Sequence, residues 1–309
     1  MSPLSRPRRF GKSLLCSTIA SLFRAEKELF EGLAIAGMDW EWKVHPVIHL
    51  DLSARNYAGD GVGTLKDKLN SQLKQCAKSY GVNIDFGEYT ASNFEQLITE
   101  LSQKMGNVVV IIDEYDYPLL DTIDQADLNK ELREELKRFY GVIRLHGEHI
   151  RFAFITGVTK FAQVSVFSGM NQPQDISMMA EYCDICGVTQ EELENVFAPE
   201  IDNYAEKHSD REKYLDKLRG FYNGYCFTKD KISVYNTYGL LNHFENFADF
   251  TPYWSISGVP SFLLKYFEMK GVDIVKIEEA RMEAGRFRTF LLFYFTTVPY
   301  SRSSLLSHP

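Results

Sequence analysis

In the first half of the chain, segments with apolar residues at helical spacing alternate with short apolar runs. Between Lys12 and about Leu29 apolar residues recur at helical spacing, which predicts a helix that opens on Gly11. The same spacing predicts helices over Thr64 to about Tyr80, over Asn93–Met105 and from about Leu128 to Arg144. Each of these segments carries its apolar residues on one face, as a helix packed against a core does.

Short runs rich in apolar and β-branched residues separate these helices and predict buried strands. They are His45–Ser53, Val108–Ile112 and Ile150–Thr156, and Gly157 closes the last one. The five consecutive β-branched residues of Val108–Ile112 are typical of a parallel strand covered on both faces. Strands that alternate with helices imply βαβ units with right-handed crossovers. The first part of the chain therefore predicts an α/β fold with a doubly wound parallel sheet.

The pattern changes beyond about residue 180, where helical periodicity and aromatic residues dominate. Thr189 and Glu192 have the spacing of a capping box and predict a helix start. Asn223-Gly224, flanked by aromatic residues, predicts a tight turn. We therefore predict two domains: an α/β domain over residues 1–180, and a mostly helical lid or adaptor over residues 181–309.

Composition restricts the function classes. The chain has 309 residues, 45% of them hydrophobic, and a formal net charge of -8, so a surface dominated by polyanion binding is disfavoured. Positive charge is concentrated near the start, at Arg6, Arg8, Arg9 and Lys12. This local patch leaves open whether nucleic acid is a partner.

Cysteine usage and hydropathy bear on the compartment. Five cysteines, an odd number spread widely, fit a reducing compartment, and no apolar run approaches the roughly 20 residues of a membrane helix. These features predict a cytoplasmic protein without a membrane span. Cys183 and Cys186 form a single CxxC pair, for which two partly buried thiols are favoured over a zinc site, because structural zinc usually needs a second pair.

Gly11-Lys12-Ser13 has the form of the end of a phosphate-binding loop. In such a loop, backbone N–H groups and a helix N-terminus attract phosphate, lysine bridges the terminal phosphates, and the hydroxyl binds magnesium. The tripeptide alone is a weak signal, and the alternative is a helix start with a solvated lysine.

The carboxylates Asp113 and Glu114 strengthen that signal, since they follow a buried strand whose end lies at the ligand-binding edge of a doubly wound sheet. There Asp113 would hold Mg²⁺ and Glu114 would polarise an attacking water. Thr156 ends the next strand and is a candidate sensor of the γ-phosphate, with simple strand termination as the alternative. Asp51 is a weaker candidate for the same crevice.

Several motifs in this order resemble the bacterial AAA-ATPase-like family, whose members often carry a C-terminal PD-(D/E)xK nuclease-like domain. The resemblance runs to about residue 265 and is carried by "LSRPRRFGKSLL", "PVIHLDLS", "VVVIIDEYDYPLLD", "FAFITGVTKFAQVSVFSGMN", "CGVTQEEL", "FYNGYCF", "VYNTYGLLNHF" and "YWSISGVPSFL". The loop of that family has the form Ser-Arg-Pro-Arg-Arg-Phe-Gly-Lys-Ser, so Arg6 in place of the usual glycine follows the family's pattern. The resemblance implies a P-loop ATP-binding module.

The predicted ligands are ATP and Mg²⁺. Lys12 would neutralise the β- and γ-phosphates, and Ser13 and Asp113 would hold the metal. Glu114, Lys12 and Thr156 are the predicted catalytic residues. The predicted nucleotide contacts are Arg8, Arg9, Phe10, Gly11, Lys12, Ser13 and Leu14. Arg8 and Arg9 are expected to contact phosphate or a carboxylate of a neighbouring subunit rather than simply to solvate the loop.

Two departures from the family leave alternatives open. Only Met1–Ser5 precede Arg6, so we expect a truncated first strand and an open slot in the sheet. The chain also stops before a nuclease-like domain. The favoured function is slow hydrolysis of Mg-ATP. One alternative is a regulatory module that binds nucleotide without useful turnover and acts on a partner, such as a nuclease-like domain. The other is a fragment unable to bind nucleotide. A homo-oligomer is a further possible partner arrangement.

Overall fold

Four parallel strands form the central sheet in a computed structural model, which describes residues 1–53, 55–159, 174–208, 210–228, 232–246, 249–251 and 253. The strands are β1 (Ser2–Ser5), β2 (Val47–Asp51), β3 (Val108–Asp113) and β4 (Ile150–Gly157), in the spatial order β1-β4-β3-β2. This confirms the predicted α/β fold. Because all four strands run in one direction, their carboxyl ends meet at one edge of the sheet.

The strand β1 occupies the position where an open slot was expected. Ser2 pairs with Phe154 and Ser5 pairs with Gly157, so β1 is hydrogen-bonded directly to β4. On its other side, the Gln174 amide donates to the Met1 carbonyl at 3.2 Å, and the Ile176 amide donates to the Pro3 carbonyl at 3.1 Å. The expectation of an open slot is therefore wrong, since four residues are enough to form the strand that leads into the loop.

The helices of this domain lie close to the predicted positions. The helix α1 ends earlier than predicted, because Ala25 takes a left-handed conformation (φ 59°) just after Arg24. The next helix begins earlier than predicted, at a cap where the Asn56 side chain accepts from the Gly59 amide, and it is kinked at Gly61. The bounds are α1 (Lys12–Phe23), α2 (Tyr57–Tyr80), α3 (Thr90–Met105), α4 (Tyr117–Asp121) and α5 (Ala126–Leu145).

Alternate residues of β3 face two separate apolar clusters. Val108, Val110 and Ile112 pack in the larger cluster with residues of α2, α3 and α5, whereas Val109 and Ile111 pack in the smaller cluster with residues of α1. The strand is buried along its whole length, which is why it is apolar at every position from Val108 to Ile112 and not at every second one. Helices on both faces thus hold the carboxyl end of β3 in place.

The region beyond residue 180 contains four helices and a small antiparallel hairpin among its described residues. Thr189 and Glu192 form the predicted capping box: the Glu192 amide donates to Thr189 Oγ1 at 3.1 Å, and the Thr189 amide donates to Glu192 Oε2 at 2.8 Å. The elements are α6 (Gln190–Val196), α7 (Ala198–His208), α8 (Arg211–Tyr222), β5 (Tyr225–Cys226), β6 (Ser233–Val234) and α9 (Thr237–Glu245).

The boundary near residue 180 stays a prediction, and the part of the predicted second domain after residue 253 lies outside the described residues. Within the part of the chain that the structure describes, no helix combines the length and the apolar character that crossing a membrane requires.

Candidate functional site

The segment between β1 and α1 forms a loop with two residues in the left-handed region. Arg9 has φ 67° and Gly11 has φ 78°, and Gly11 caps the N-terminus of α1. The Leu15 amide donates to the Gly11 carbonyl at 2.9 Å and so begins the helical hydrogen bonds. The first amides of a helix have no partner within it and carry positive potential, which makes this end of α1 suited to bind an anion.

Lys12 joins this loop to the end of β3. Its side chain is 3% exposed, and its Nζ lies 3.2 Å from Glu114 Oε1 and donates to the Pro7 carbonyl at 3.2 Å. The structure therefore brings together two motifs that lie about a hundred residues apart in the sequence. This arrangement differs from that of a solvated lysine at a helix start.

Glu114 has an unusual backbone conformation and an unusual environment. Its φ is 53°, in the left-handed region that non-glycine residues rarely occupy and that is often found at functional sites. Burial raises the pKa of Glu114, and the neighbouring Lys12 ammonium partly offsets that effect. A carboxylate with a raised pKa is better suited to accept a proton than an ordinary glutamate.

Asp113 and Thr156 lie behind Glu114 and contact each other. The Thr156 hydroxyl donates to Asp113 Oδ1, which also accepts from the Glu114 amide at 3.0 Å. Thr156 is fully buried, and Cys16 Sγ lies 3.7 Å from its Oγ1. The structure thus places Thr156 against Asp113, away from the residues that line the cleft described next.

A cleft of about 370 Å³ opens between the loop and the end of β3, within the size range of ligand pockets. Six of the seven predicted nucleotide contacts line it, together with Glu114. The sequence analysis does not predict Ser53 and Tyr117, although both lie shortly after the end of a buried strand. The lining residues are Arg8, Arg9, Gly11, Lys12, Ser13, Leu14, Ser53, Glu114 and Tyr117.

Phe10 is the predicted contact that the cleft lining does not include. Its side chain is fully buried and packs edge-to-face on Tyr225 and Phe227, with ring centroids 4.7 and 5.6 Å apart. These two aromatic residues of the "FYNGYCF" motif are themselves buried, so they act as core residues and do not offer a surface for stacking on a nucleobase. Among the atoms of Phe10, we therefore expect only the backbone to reach a ligand in the cleft.

Arg6, which stands in place of the usual glycine, is also buried. Its guanidinium donates to the carbonyls of Ser5, Ser177, Tyr182 and Ile185 at distances of 2.7 to 3.2 Å, and its Cζ lies 4.0 Å from the centroid of the Phe227 ring. Burial lowers the pKa of Arg6 to about 10, so the group stays charged at neutral pH. Arg6 therefore contacts the segment after β4 and the hairpin.

The other candidates of the sequence lie around this site. Asp51 pairs in register with Asp113 on the neighbouring strand, and its Oδ1 accepts from the Ser53 amide at 2.7 Å. Cys183 is buried and Cys186 packs beside Phe10. Among the described residues, no three His, Cys, Asp or Glu side chains lie together as ligands for a metal ion.

Known proteins match the part of the chain that builds this site. A family described as "Predicted AAA-ATPase" matches residues 2–167, which include β1 to β4, the loop and Asp113-Glu114. A relative from Azotobacter chroococcum mcd 1, named "Uncharacterized protein in vnfD 5'region", is 38% identical over 267 residues. The matched region covers 84% of this chain and 48% of the relative, so the chain spans about half the length of that protein.

Proposed function

Because this chain belongs to the predicted AAA-ATPase family, we propose that it binds Mg-ATP in the cleft and hydrolyses it slowly to ADP and phosphate. The observation that carries this proposal is the position of Lys12. Its ammonium lies beside the carboxylate of Glu114, at the wall of a cleft that the N-terminus of α1 also lines. A cation, helix amides and a candidate base are the parts that phosphoryl transfer to water requires.

The phosphates would bind at the start of α1. Lys12 would neutralise the β- and γ-phosphates, and the amides around Gly11 would bind their oxygens. Arg8 is exposed and lines the same cleft, so its guanidinium is placed to add phosphate contacts. The positive φ of Gly11 turns the chain into the helix directly at this point.

The available oxygen donors fit a magnesium ion that arrives with the nucleotide. The Ser13 hydroxyl is exposed in the cleft. Asp113 is buried and does not line the cleft, so it would hold the ion through water or through Oδ2, since both hydrogen bonds of its carboxylate fall on Oδ1. Mg²⁺ in nucleotide enzymes commonly takes one or two carboxylates plus phosphate oxygens, so the site needs only these two protein ligands. When bound, the ion would neutralise phosphate charge.

Glu114 would accept a proton from the attacking water. Its raised pKa suits this role, and its carboxylate already lies at the cleft. In this scheme Thr156 acts as a positioning residue, because its hydroxyl orients the carboxylate of Asp113. Direct contact between Thr156 and the γ-phosphate, which the sequence predicts, fits the full burial of Thr156 less well.

Isothermal titration with Mg-ATP tests the proposal through Lys12→Ala and Lys12→Met, since the second variant keeps most of the side-chain bulk. Loss of a charged hydrogen bond weakens binding by about 10- to 100-fold. Lys137→Ala, an exposed position on α5, is the control. Circular dichroism establishes that each variant is folded. If folded Lys12 variants bind and hydrolyse Mg-ATP as the parent does, the proposal is wrong.

A second candidate function is a nucleotide-dependent interaction module without useful turnover. The ion pair with Lys12 favours it, because a carboxylate engaged by a cation is less available to accept a proton from water. A phosphate-release assay beside the titration separates the two functions, since the module predicts binding without release that depends on Glu114. A homo-oligomer or a nuclease-like partner domain remains a prediction from the resemblance.

A further inference from the structure

The proposed phosphate loop is anchored at both ends by buried side chains. Arg6 at its start is 1% exposed and Phe10 near its end is fully buried. Only Pro7, Arg8 and Arg9 lie between these two anchors. The side chains of both anchors contact residues that follow β4 in the sequence.

Phe227, which directly follows β5, contacts both anchors. Its ring lies 4.0 Å from Arg6 Cζ and its centroid lies 5.6 Å from that of Phe10. Tyr225 adds a second edge-to-face contact with Phe10 at 4.7 Å. The hairpin β5–β6 is therefore attached to the loop at two points that bracket Arg8 and Arg9.

The chemistry of Arg6 restricts how the loop can lie. Four N–H donors of its planar guanidinium are directed at four backbone carbonyls, three of them in the segment from Ser177 to Ile185. A buried charge satisfied in this way has little freedom to move, because any shift breaks hydrogen bonds in a dry environment. Lysine cannot reproduce this fork of donors.

A third contact joins α9 to the middle of the loop. The guanidinium of Arg9 lies over the ring of Tyr238, with Cζ 4.0 Å from the ring centroid. Arg9 also has the positive φ of 67°, a conformation that costs free energy for a residue with a Cβ and persists only where its surroundings hold it. The residues that hold Arg9 in this conformation include Tyr238 of α9.

We propose that Arg6 and Phe227 are positioning residues of the phosphate loop, so that contact with the hairpin β5–β6 sets the affinity of the loop for nucleotide phosphates. This inference rests on the proposed nucleotide site. Because coupling between two sites is reciprocal, nucleotide binding must also stabilise the contact between the hairpin and the loop. A partner that pulls the hairpin away would weaken nucleotide binding.

The first test compares Phe227→Leu with Phe244→Leu by titration with Mg-ATP. Phe244 is a matched control, because it stacks on Phe197 at 5.0 Å inside the helical module. Coupling of the usual size weakens binding by about 5- to 150-fold in Phe227→Leu and leaves Phe244→Leu near the parent. Equal affinity of folded Phe227→Leu and parent would overturn the inference and leave the proposed function intact.

The second test needs no nucleotide and uses trypsin, which cuts after Arg8 and Arg9. Opening of the loop should make both bonds more accessible, so Arg6→Lys and Phe227→Leu should be cut there faster than the parent and Phe244→Leu, as followed by mass spectrometry. Cleavage rates of Arg6→Lys and Phe227→Leu that equal those of the parent would overturn the inference. This holds even if Phe227→Leu binds Mg-ATP more weakly than the parent. If the parent does not bind Mg-ATP, the proposed function is wrong. The cleavage rates then test by themselves whether Arg6 and Phe227 hold the loop in place.

Discussion

The ammonium of Lys12 lies 3.2 Å from Oε1 of Glu114, and this ion pair joins the N-terminus of α1 to the turn after β3. Both side chains are largely buried, at 3% and 17% exposure. The pair has two consequences. Lys12 limits the rise in the pKa of Glu114 that burial causes, and phosphate oxygens entering the cleft would compete with Glu114 for the same ammonium.

Substitution Glu114→Gln should separate binding from hydrolysis. Removal of a general base lowers turnover by about 10²- to 10⁴-fold. Affinity for Mg-ATP should stay equal or rise, because Lys12 no longer has an anionic partner in the protein. Phosphate release measures the first effect and titration the second.

The control for that variant is Glu148→Gln, at a glutamate whose side chain is 81% exposed. It should match the parent in both assays. Full turnover by Glu114→Gln would exclude Glu114 as the base and would favour a different residue in the cleft.

Thr156 offers a test of positioning with one variant that removes its hydroxyl at the same side-chain shape and one that keeps the hydroxyl. Thr156→Val removes the hydroxyl that donates to Asp113, whereas Thr156→Ser keeps it. Loss of a residue that orients a metal ligand typically costs about 10- to 100-fold in activity or metal affinity. We expect this loss in Thr156→Val, seen as a higher Mg²⁺ requirement in the phosphate-release assay, and near-parent behaviour in Thr156→Ser. Equal Mg²⁺ requirements in both variants would contradict the role.

Gly11 tests the backbone of the loop. Its φ is 78°, and a Cβ added there would meet no atom within 4 Å, so the cost of Gly11→Ala is conformational rather than steric. The left-handed conformation costs a residue with a Cβ about 1–2 kcal/mol. Chemical denaturation should show that loss, and titration should show weaker Mg-ATP binding as the loop relaxes. Gly37→Ala, where space is also open and no positive φ occurs, should leave both unchanged.

His243 predicts a pH-dependent stability of the helical region beyond residue 180. It is fully buried, its Nε2 lies 2.8 Å from the Tyr214 hydroxyl, and its Nδ1 lies 2.9 Å from the Asp249 carbonyl. Burial lowers the pKa of His243 below the ordinary 6.5. Below that pH the unfolded chain binds a proton that the folded chain still excludes, so the free energy of unfolding falls as the pH decreases.

The measurement is urea unfolding between about pH 7 and about pH 5, followed by circular dichroism. His243→Gln should lose less stability over this range than the parent does. His45→Gln, at a residue outside this network, serves as the comparison. An equal loss in His243→Gln and in the parent would contradict the assignment.

The positions of most helices and strands could be predicted because their signals are local. The five β-branched residues from Val108 to Ile112 are buried on both faces, and the helix over Asn93–Met105 presents one apolar face. Apolar spacing predicts that α1 extends further along the chain than it does, because spacing does not reveal the left-handed conformation of Ala25 that ends the helix. The sequence predicts a truncated first strand but not the pairing of Ser2–Ser5 with β4, because β4 lies about 150 residues away in the sequence.

The candidate site likewise has residues that the sequence predicts and contacts that only the tertiary structure shows. Residue types and spacing predict Gly11, Lys12, Ser13, Asp113 and Glu114 as candidates, since binding of phosphate and magnesium calls for a cation, a hydroxyl and carboxylates at the ends of buried elements. Their roles stay a prediction. Only the folded chain could show that Arg6 and Phe10 turn away from the cleft and contact Phe227. The direction of a side chain depends on packing with distant residues, and a local pattern carries no record of that packing.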